Sequence, residues 1–353
     1  MIQSKLKSFI ILAFILFQLF PAFAKESHFN ELFKLVNEFK LEQTQDTEIG
    51  YLCSFKVDSN GNIWIADLGH YSEEMPSAVK SYSPQGKLLR VIQGTDKFKS
   101  AQDMDFDLRK QVYVADLFNK IAVFDSLGNF KYSFSTEDEK SSWDMSPFSI
   151  RYDPKGGYLF IGAHQGFSGK DSVGQYLHKY TTSGKLIGSF LPIDKNLIRL
   201  APTDPNRVYL DLDRDGNIWC VQSMAYEVFK FSPGGKLIQK FQGKSRFYIP
   251  PYKLTSPSGV RAINAWMKTW TQIANCLVAE NGLILISLQT HKPTEYVLEI
   301  YNPDGKLLAG DIQTNYRLLG KDNKGFLYFL LDGEKKGESQ EFKIGKFSLN
   351  LKP

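Results

Sequence analysis

The chain has 353 residues, of which 42% are hydrophobic, 14% aromatic and 23% charged. That composition excludes a disordered chain, and the length allows several domains or one large β domain. Forty-three Lys and Arg against 38 Asp and Glu give a net charge of +5, spread thinly and without the basic block or arm that nucleic acid would call for.

The first residues read as an address. Lys5 and Lys7 precede an apolar run from Phe9 to Phe20, and Ala22-Phe23-Ala24 supplies a small-residue cleavage pattern. A run of 12 residues is short for a bilayer span, so residues 1–24 are expected to be a signal peptide, with an N-terminal membrane anchor as the alternative. Cleavage would leave 329 residues with a charge of +3. No later stretch is apolar for long enough to span a membrane, so the expectation is a secreted or periplasmic protein. Cys53, Cys220 and Cys276 are too few for a disulfide framework. They read as small buried hydrophobes, one disulfide being the alternative.

From Lys34 onward a phrase recurs: Lys or Asn, an apolar or aromatic pair, two variable residues and a large apolar residue. It runs Lys34–Phe39, Lys87–Ile92, Asn129–Phe134, Lys185–Phe190, Lys236–Phe241 and, more weakly, Lys306–Ile312. Five copies follow a turn ending in Gly, such as Ser83-Pro84-Gln85-Gly86 and Asn302-Pro303-Asp304-Gly305. Pro presets the turn and Gly accepts its positive φ, so each is a hairpin. A second family of turns precedes the phrase: Asp58 to Gly61, Asp107 to Lys110, Asp153 to Gly156, Asp213 to Gly216, Glu280 to Gly282 and Asp322 to Gly325. Short runs rich in Ile, Val, Trp, Tyr and Phe follow, which are strands by composition and length.

Each repeat therefore holds four strands, at a spacing of 42 to 70 residues. Four-stranded units at that period predict an all-β six-bladed β-propeller of antiparallel blades rather than a sandwich. Residues 25–353 form one such domain, with blades at about 50–94, 100–135, 146–191, 206–243, 272–312 and 315–350. The last unit has only three strands, and strand 34–40 at the N-terminus is expected to complete it. Phe29, Leu32, Phe33 and Val36 also suit a short helix face.

The second blade reads Val114-Ala115-Asp116-Leu117-Phe118-Asn119-Lys120-Ile121-Ala122-Val123-Phe124, then Gly128, and Trp64-Ile65-Ala66-Asp67 echoes it in the first. In this the chain resembles the NHL-repeat six-bladed propellers over roughly Lys34 to Leu349. The resemblance implies that the innermost strands line a central channel and that ligands sit on the face where those strands begin. Related lyases hold zinc there with three His, and related lactonases use Glu, Asn and Asp. Aligned on the first turn, the lyase His positions carry Cys53, Gln102, Phe148, Val208, Asn275 and Arg317, none of them imidazole or carboxylate. That leaves little for a firm metal site.

His70, His164 and His291 follow the second strands of alternate blades, so a three-His zinc site for a lyase or hydrolase stands as the alternative to solvated side chains. Asp67 and Asp116 read as blade-packing or turn residues. Asp211 to Gln222 resembles the start of a calcium loop but ends in Gln where a bidentate Glu belongs, and so reads as a turn.

The insertion at 244–271 mixes Arg246, Tyr248, Tyr252, Arg261, Trp266 and Trp270, a set suited to a glycan-like or anionic partner or else to packing the loop onto the blades. With Gln102, Asn275 and Arg317 these are the expected ligand contacts, and Trp143, Tyr176 and Tyr226 are further rim candidates. The expected function is a monomeric binding module for a small ligand or protein partner, with no cofactor, a structural scaffold being a third reading.

Overall fold

The computed structural model describes residues 28–69, 76–136, 145–165, 174–198, 200, 206–254, 260–292, 294–332 and 341–352. A single helical turn, α1 (Phe29–Leu32), leads directly into β1 (Phe33–Lys40), so the helix face and the strand read from the sequence both exist, in succession. The described residues then form six four-stranded antiparallel sheets.

Blade one holds β2 (Leu52–Val57), β3 (Ile63–Asp67), β4 (Ala78–Tyr82) and β5 (Leu88–Gln93). Blade two holds β6 (Ala101–Phe106), β7 (Val112–Asp116), β8 (Lys120–Phe124) and β9 (Phe130–Ser135). Blade three holds β10 (Met145–Asp153), β11 (Tyr158–Gln165), β12 (Gln175–Thr181) and β13 (Leu186–Pro192), followed by the turn α2 (Lys195–Ile198). Blade four holds β14 (Val208–Leu212), β15 (Ile218–Gln222), β16 (Glu227–Phe231) and β17 (Leu237–Gln242), and the helix α3 (Val260–Met267) lies in the insertion after it. Blade five holds β18 (Gln272–Val278), β19 (Ile284–Gln289), β20 (Tyr296–Tyr301) and β21 (Leu307–Thr314). Blade six holds β22 (Arg317–Lys321), β23 (Leu327–Asp332) and β24 (Lys343–Leu349), with β1 as its outermost strand. The pairing of β1 with β24 runs from Phe33 opposite Leu349 to Lys40 opposite Lys343 and closes the ring as the sequence predicts. Among the described residues no helix is long and apolar enough to cross a membrane.

The core is not one mass but a series of layers between blades. Six apolar clusters each join two neighbours, as where Phe39, Tyr328 and Ile344 of blade six meet Phe55, Ile65 and Tyr82 of blade one. A second strand such as β3, β7 or β15 is buried along its whole length, because a neighbouring blade covers each of its faces. Its sequence is accordingly a continuous apolar run, whereas the outer strands β9, β13 and β17 alternate in exposure.

Both turn families have a structural reason. In the first, Asp58 accepts the Asn60 and Asn62 amides at 2.8 and 2.9 Å and the Trp64 indole at 3.1 Å. Asp213 repeats this with Asp215, Asn217 and Trp219, and Asp322 with Lys324, Phe326 and the Tyr328 hydroxyl. An aromatic six residues after the Asp thus locks turn to strand. The calcium-like stretch at 211–222 is this same turn.

In the second family the Gly meets the last large residue of the preceding blade's phrase. A Cβ on Gly235 would stand 2.9 Å from the Phe190 ring, and one on Gly305 would stand 2.6 Å from Phe241. Both have positive φ, +84° and +74°. The recurring Gly and the recurring terminal aromatic are therefore two halves of one contact between blades. Gly86 meets Phe39 of β1 in the same way, which identifies β1 as a true outer strand.

Gly235→Ala and Gly305→Ala are each expected to cost about 1–3 kcal/mol by combining backbone strain with overlap. Gly157→Ala, at φ +70° with nothing within 4 Å, should cost less, and Gly188→Ala in open space without positive φ should stay within about 0.5 kcal/mol. Urea midpoints of the four variants check the order.

Candidate functional site

The six inner strands β2, β6, β10, β14, β18 and β22 surround an axial cavity of about 260 Å³. Five of them carry a one-residue irregularity near their start, at Cys53, Gln102, Phe148, Ala274 and Leu319, and all five of these residues line the cavity. A bulge re-aims a side chain that strict alternation would send elsewhere. β14 pairs without one. Gln102, Asn275 and Arg317, expected from the sequence, all reach this cavity.

Lower in the channel the strands supply a buried ionic network that the sequence reading missed. The Arg151 Nη1 stands 2.6 Å from Asp103 Oδ2, and its Nε 3.5 Å from Asp211 Oδ1. Lys321 Nζ lies 2.7 Å from the other Asp211 oxygen, and Lys56 lies 3.9 Å from Asp105. Backbone amides complete the carboxylates: Ile150 donates to Asp103 at 3.0 Å, Val278 to Asp211 at 2.8 Å and Tyr152 to Asp105 at 2.8 Å. The Ser54 hydroxyl donates to Asp103 as well. Burial alone would raise the carboxyls of Asp103 and Asp211, but the neighbouring cations and donors outweigh it and hold both below their ordinary range. Burial and the Arg151 charge pull the Lys56 ammonium down. Three cations and three carboxylates thus line the deeper part of the cavity with their charges matched.

The mouth is different in kind. Arg207, just before β14, lays its guanidinium 4.2 Å from the centre of the Phe148 ring, and Phe148 meets Tyr209 edge-on at 5.8 Å. Arg317 donates to the Leu52 carbonyl at 3.1 Å and lies 6.0 Å from the Tyr51 ring. Cys53 lines the cavity, and burial pushes its thiol up to about 12 against the opposing charges of Arg317 and Arg207. Asn275 is committed to structure, donating to the carbonyls of Leu318 and Leu319 at 3.1 and 3.2 Å. Gln102 donates to Ser100 at 2.9 Å.

Asp67 and Asp116 anchor the chain that enters each blade from this face. Asp67 accepts the amides of Gly50, Tyr51 and Gly69 and pairs with Lys80 at 2.5 Å; Asp116 accepts those of Lys99 and Ser100.

The insertion leaves β17 and returns at β18, which puts it on the mouth face. Its two tryptophans are 2% and 1% exposed and pack with Met224, Leu197, Leu200 and Leu254. Trp266 and Trp270 therefore fix the loop to the blades, and neither presents a face to a ligand. Tyr176 and Tyr226 are fully buried, so they do not form the rim the sequence suggested. Tyr248 donates to the Met224 carbonyl at 2.9 Å, while Tyr252 remains 55% exposed. Arg246 sits over Phe247 and 3.4 Å from Asp311. Arg261 lies in α3, and its side chain falls outside the described residues. The root of the insertion is clasped by blade five. Glu299 accepts the Lys244 amide at 3.2 Å and the hydroxyls of Tyr226 and Tyr301, and Asp311 accepts Ser245 and the Arg246 amide.

His70 and Trp143 fall outside the described residues, as does the side chain of His164, whose backbone pairs with Ser146; His291 is exposed after β19. Among the described residues no His, Cys, Asp and Glu cluster as a metal site would require. All three cysteines are free.

No protein-family model matches the sequence, and no curated protein does. Solved structures share the architecture. A member of the DUF4221 family from Bacteroides vulgatus aligns at a TM-score of 0.64 and 11% identity, over 90% of this chain and 99% of that one. A gluconolactonase from Xanthomonas campestris aligns at 0.53 and 13%, over 85% and 87%. The virginiamycin B lyase of Staphylococcus aureus aligns at 0.51 and 14%, over 90% and 99%. At such identities the likeness is one of fold: a six-bladed β-propeller.

Arg151→Met removes the hub of the axial network and strands two buried carboxylates, and is expected to cost about 3–5 kcal/mol at neutral pH. The network's contribution is complete above the ordinary carboxyl value of 3.8 and is lost as pH falls through the lowered values of Asp103 and Asp211. The gap between wild type and variant should therefore shrink as pH falls below that value, which urea titrations at several pH values will show.

Proposed function

We propose that this chain is an exported binding module that captures a small ligand at the mouth of its axial cavity, on the face that also bears the insertion. The observation that carries this reading is the axial cavity of about 260 Å³, whose wall sets Gln102, Phe148, Tyr209 and Arg317 beside a charge-matched ionic network of Asp103, Arg151, Asp211 and Lys321. A concave site with a few polar groups set among apolar walls is the general form of a small-molecule pocket.

The same chemistry supports binding over catalysis. A thiol held at about 12 is a poor nucleophile. The channel carboxylates are held ionised by cations and backbone amides, so they make weak general acids or bases. Export rests on the signal-like residues 1–24.

Thermal-shift screening with small carboxylic acids, amino acids, monosaccharides and sugar acids tests the reading. At least one compound should raise the melting temperature of the wild type, and Phe148→Trp, which fills the mouth, should abolish that shift. If no compound stabilises the chain, or if the shift survives in Phe148→Trp, the axial mouth is not the site.

A further inference from the structure

We propose that the face around the mouth docks on an anionic lipid surface. Ile249 and Tyr252 of the insertion enter it on one side of the axis and Phe118 on the other, and Lys99, Lys253 and Lys268 meet the lipid phosphates. The inference concerns the surface around the axial cavity and does not depend on a ligand within it.

Charge is segregated on this face. From 244 to 279 the sequence holds Lys244, Arg246, Lys253, Arg261 and Lys268 and no Asp or Glu. Those five cations alone exceed the net charge of +3 that is left without residues 1–24. Arg246 is engaged with Asp311 at 3.4 Å, but among the described residues Lys253 and Lys268 have no carboxylate within ion-pair reach, and both are exposed. Asp96 and Glu295, on the same face, are matched by Lys97 at 2.6 Å and Lys292 at 3.3 Å.

The insertion presents these cations on a fixed platform. The Ile249 amide donates to the Thr271 hydroxyl and the Thr271 amide to the Ile249 carbonyl, both at 3.0 Å, and the Trp266 indole donates to the Tyr252 carbonyl at 2.8 Å. The arm at 249–253 is thus laced to the arm at 266–271, above the buried Trp266 and Trp270, and leaves Ile249 42% and Tyr252 55% exposed. Across the axis, Phe118 is 63% exposed at the turn from β7 to β8, where its amide donates to the anchor Asp116. The exposed Lys99 lies 6.0 Å from its ring. In a ring of six consecutive blades, blade two stands opposite blade five, at whose entrance the insertion joins. A partner that touches both margins at once is broad and flat. Apolar side chains at loop tips with lysines beside them suit the boundary of a bilayer, where the tips enter the acyl region and the ammonium groups stay with the phosphates. An acidic polysaccharide would answer the lysines and leave Ile249 and Phe118 in water.

Vesicle co-sedimentation tests this, with the chain lacking residues 1–24, whose apolar run would itself bind lipid. Vesicles of phosphatidylcholine with phosphatidylglycerol should carry the chain down, and vesicles of phosphatidylcholine alone should bind it at least about tenfold more weakly. K253E/K268E and F118S/I249S/Y252S should each weaken binding to the anionic vesicles about tenfold or more. K306E/K324E reverses as many charges in exposed turns of the opposite face and should change binding by less than about threefold. All of these side chains are exposed, so the urea midpoints should stay near that of wild type. Equal binding to both kinds of vesicle, an equal loss in K306E/K324E, or full binding in F118S/I249S/Y252S would overturn the assignment. So would the absence of vesicle binding. Retention on immobilised polyglutamate in that case, lost in K253E/K268E, would give the face to an acidic protein. The small-ligand screen of the mouth is decided separately, since none of these substitutions lies in the cavity wall.

Discussion

Everything in this molecule depends on a ring being closed. Each blade buries its faces only against its two neighbours, so an open row of six would leave two sheets uncovered. The pairing of β1 with β24 removes that seam and does so with material from opposite ends of the chain. The apolar layer of Phe39, Ile344 and Tyr328 against Phe55 and Tyr82 then makes the sixth junction equivalent to the other five. Closure also creates the axis. Residues that share no local sequence are brought within hydrogen-bond reach around it, as with Arg317 and the Leu52 carbonyl.

Along that axis the inner strands do two jobs at two depths. Near the mouth, irregularities turn Cys53, Gln102 and Phe148 inward, away from the alternation that would hide them. Deeper, regular pairing places Asp103, Arg151 and Asp211 on the channel side, where only mutual neutralisation makes burial tolerable. The network thus ties blades together from the wall of the same cavity that the aromatic and amide side chains line nearer the mouth.

The repeat was legible because its causes are local. Turn Asp, turn Gly and terminal aromatic each act within a few residues or across one junction, and so recur as a phrase. Asp67 and Asp116 were readable as anchors for the same reason. The ionic network was not, because Lys56, Asp103, Arg151, Asp211 and Lys321 are single charges in separate strands, joined only by closure. A signal was present all the same: each is a charged residue inside a first strand, and Asp103 and Asp105 share a face by alternation. Arg207 escaped because it lies one place ahead of the aligned Val208, before β14, whose pairing lacks the irregularity of its counterparts. Composition could not distinguish aromatics offered to a ligand from aromatics used as ballast, and Trp266 and Trp270 are the latter.

The way the ring closes sets a timetable for its maturation. β1 is made first, yet its partner is 300 or so residues away, at the far end of the chain. Until β24 emerges, β1 is a bare edge whose amides and carbonyls invite pairing with the wrong chain. Contacts of such long range are slow to form, since the loop entropy comes due before the contact is gained. A chain arranged in this way reaches its final form only after its last strand is available. If it crosses a membrane as an extended polypeptide, that delay helps: the native ring cannot form early and jam the passage. The same strand that makes the finished propeller durable keeps the unfinished one loose.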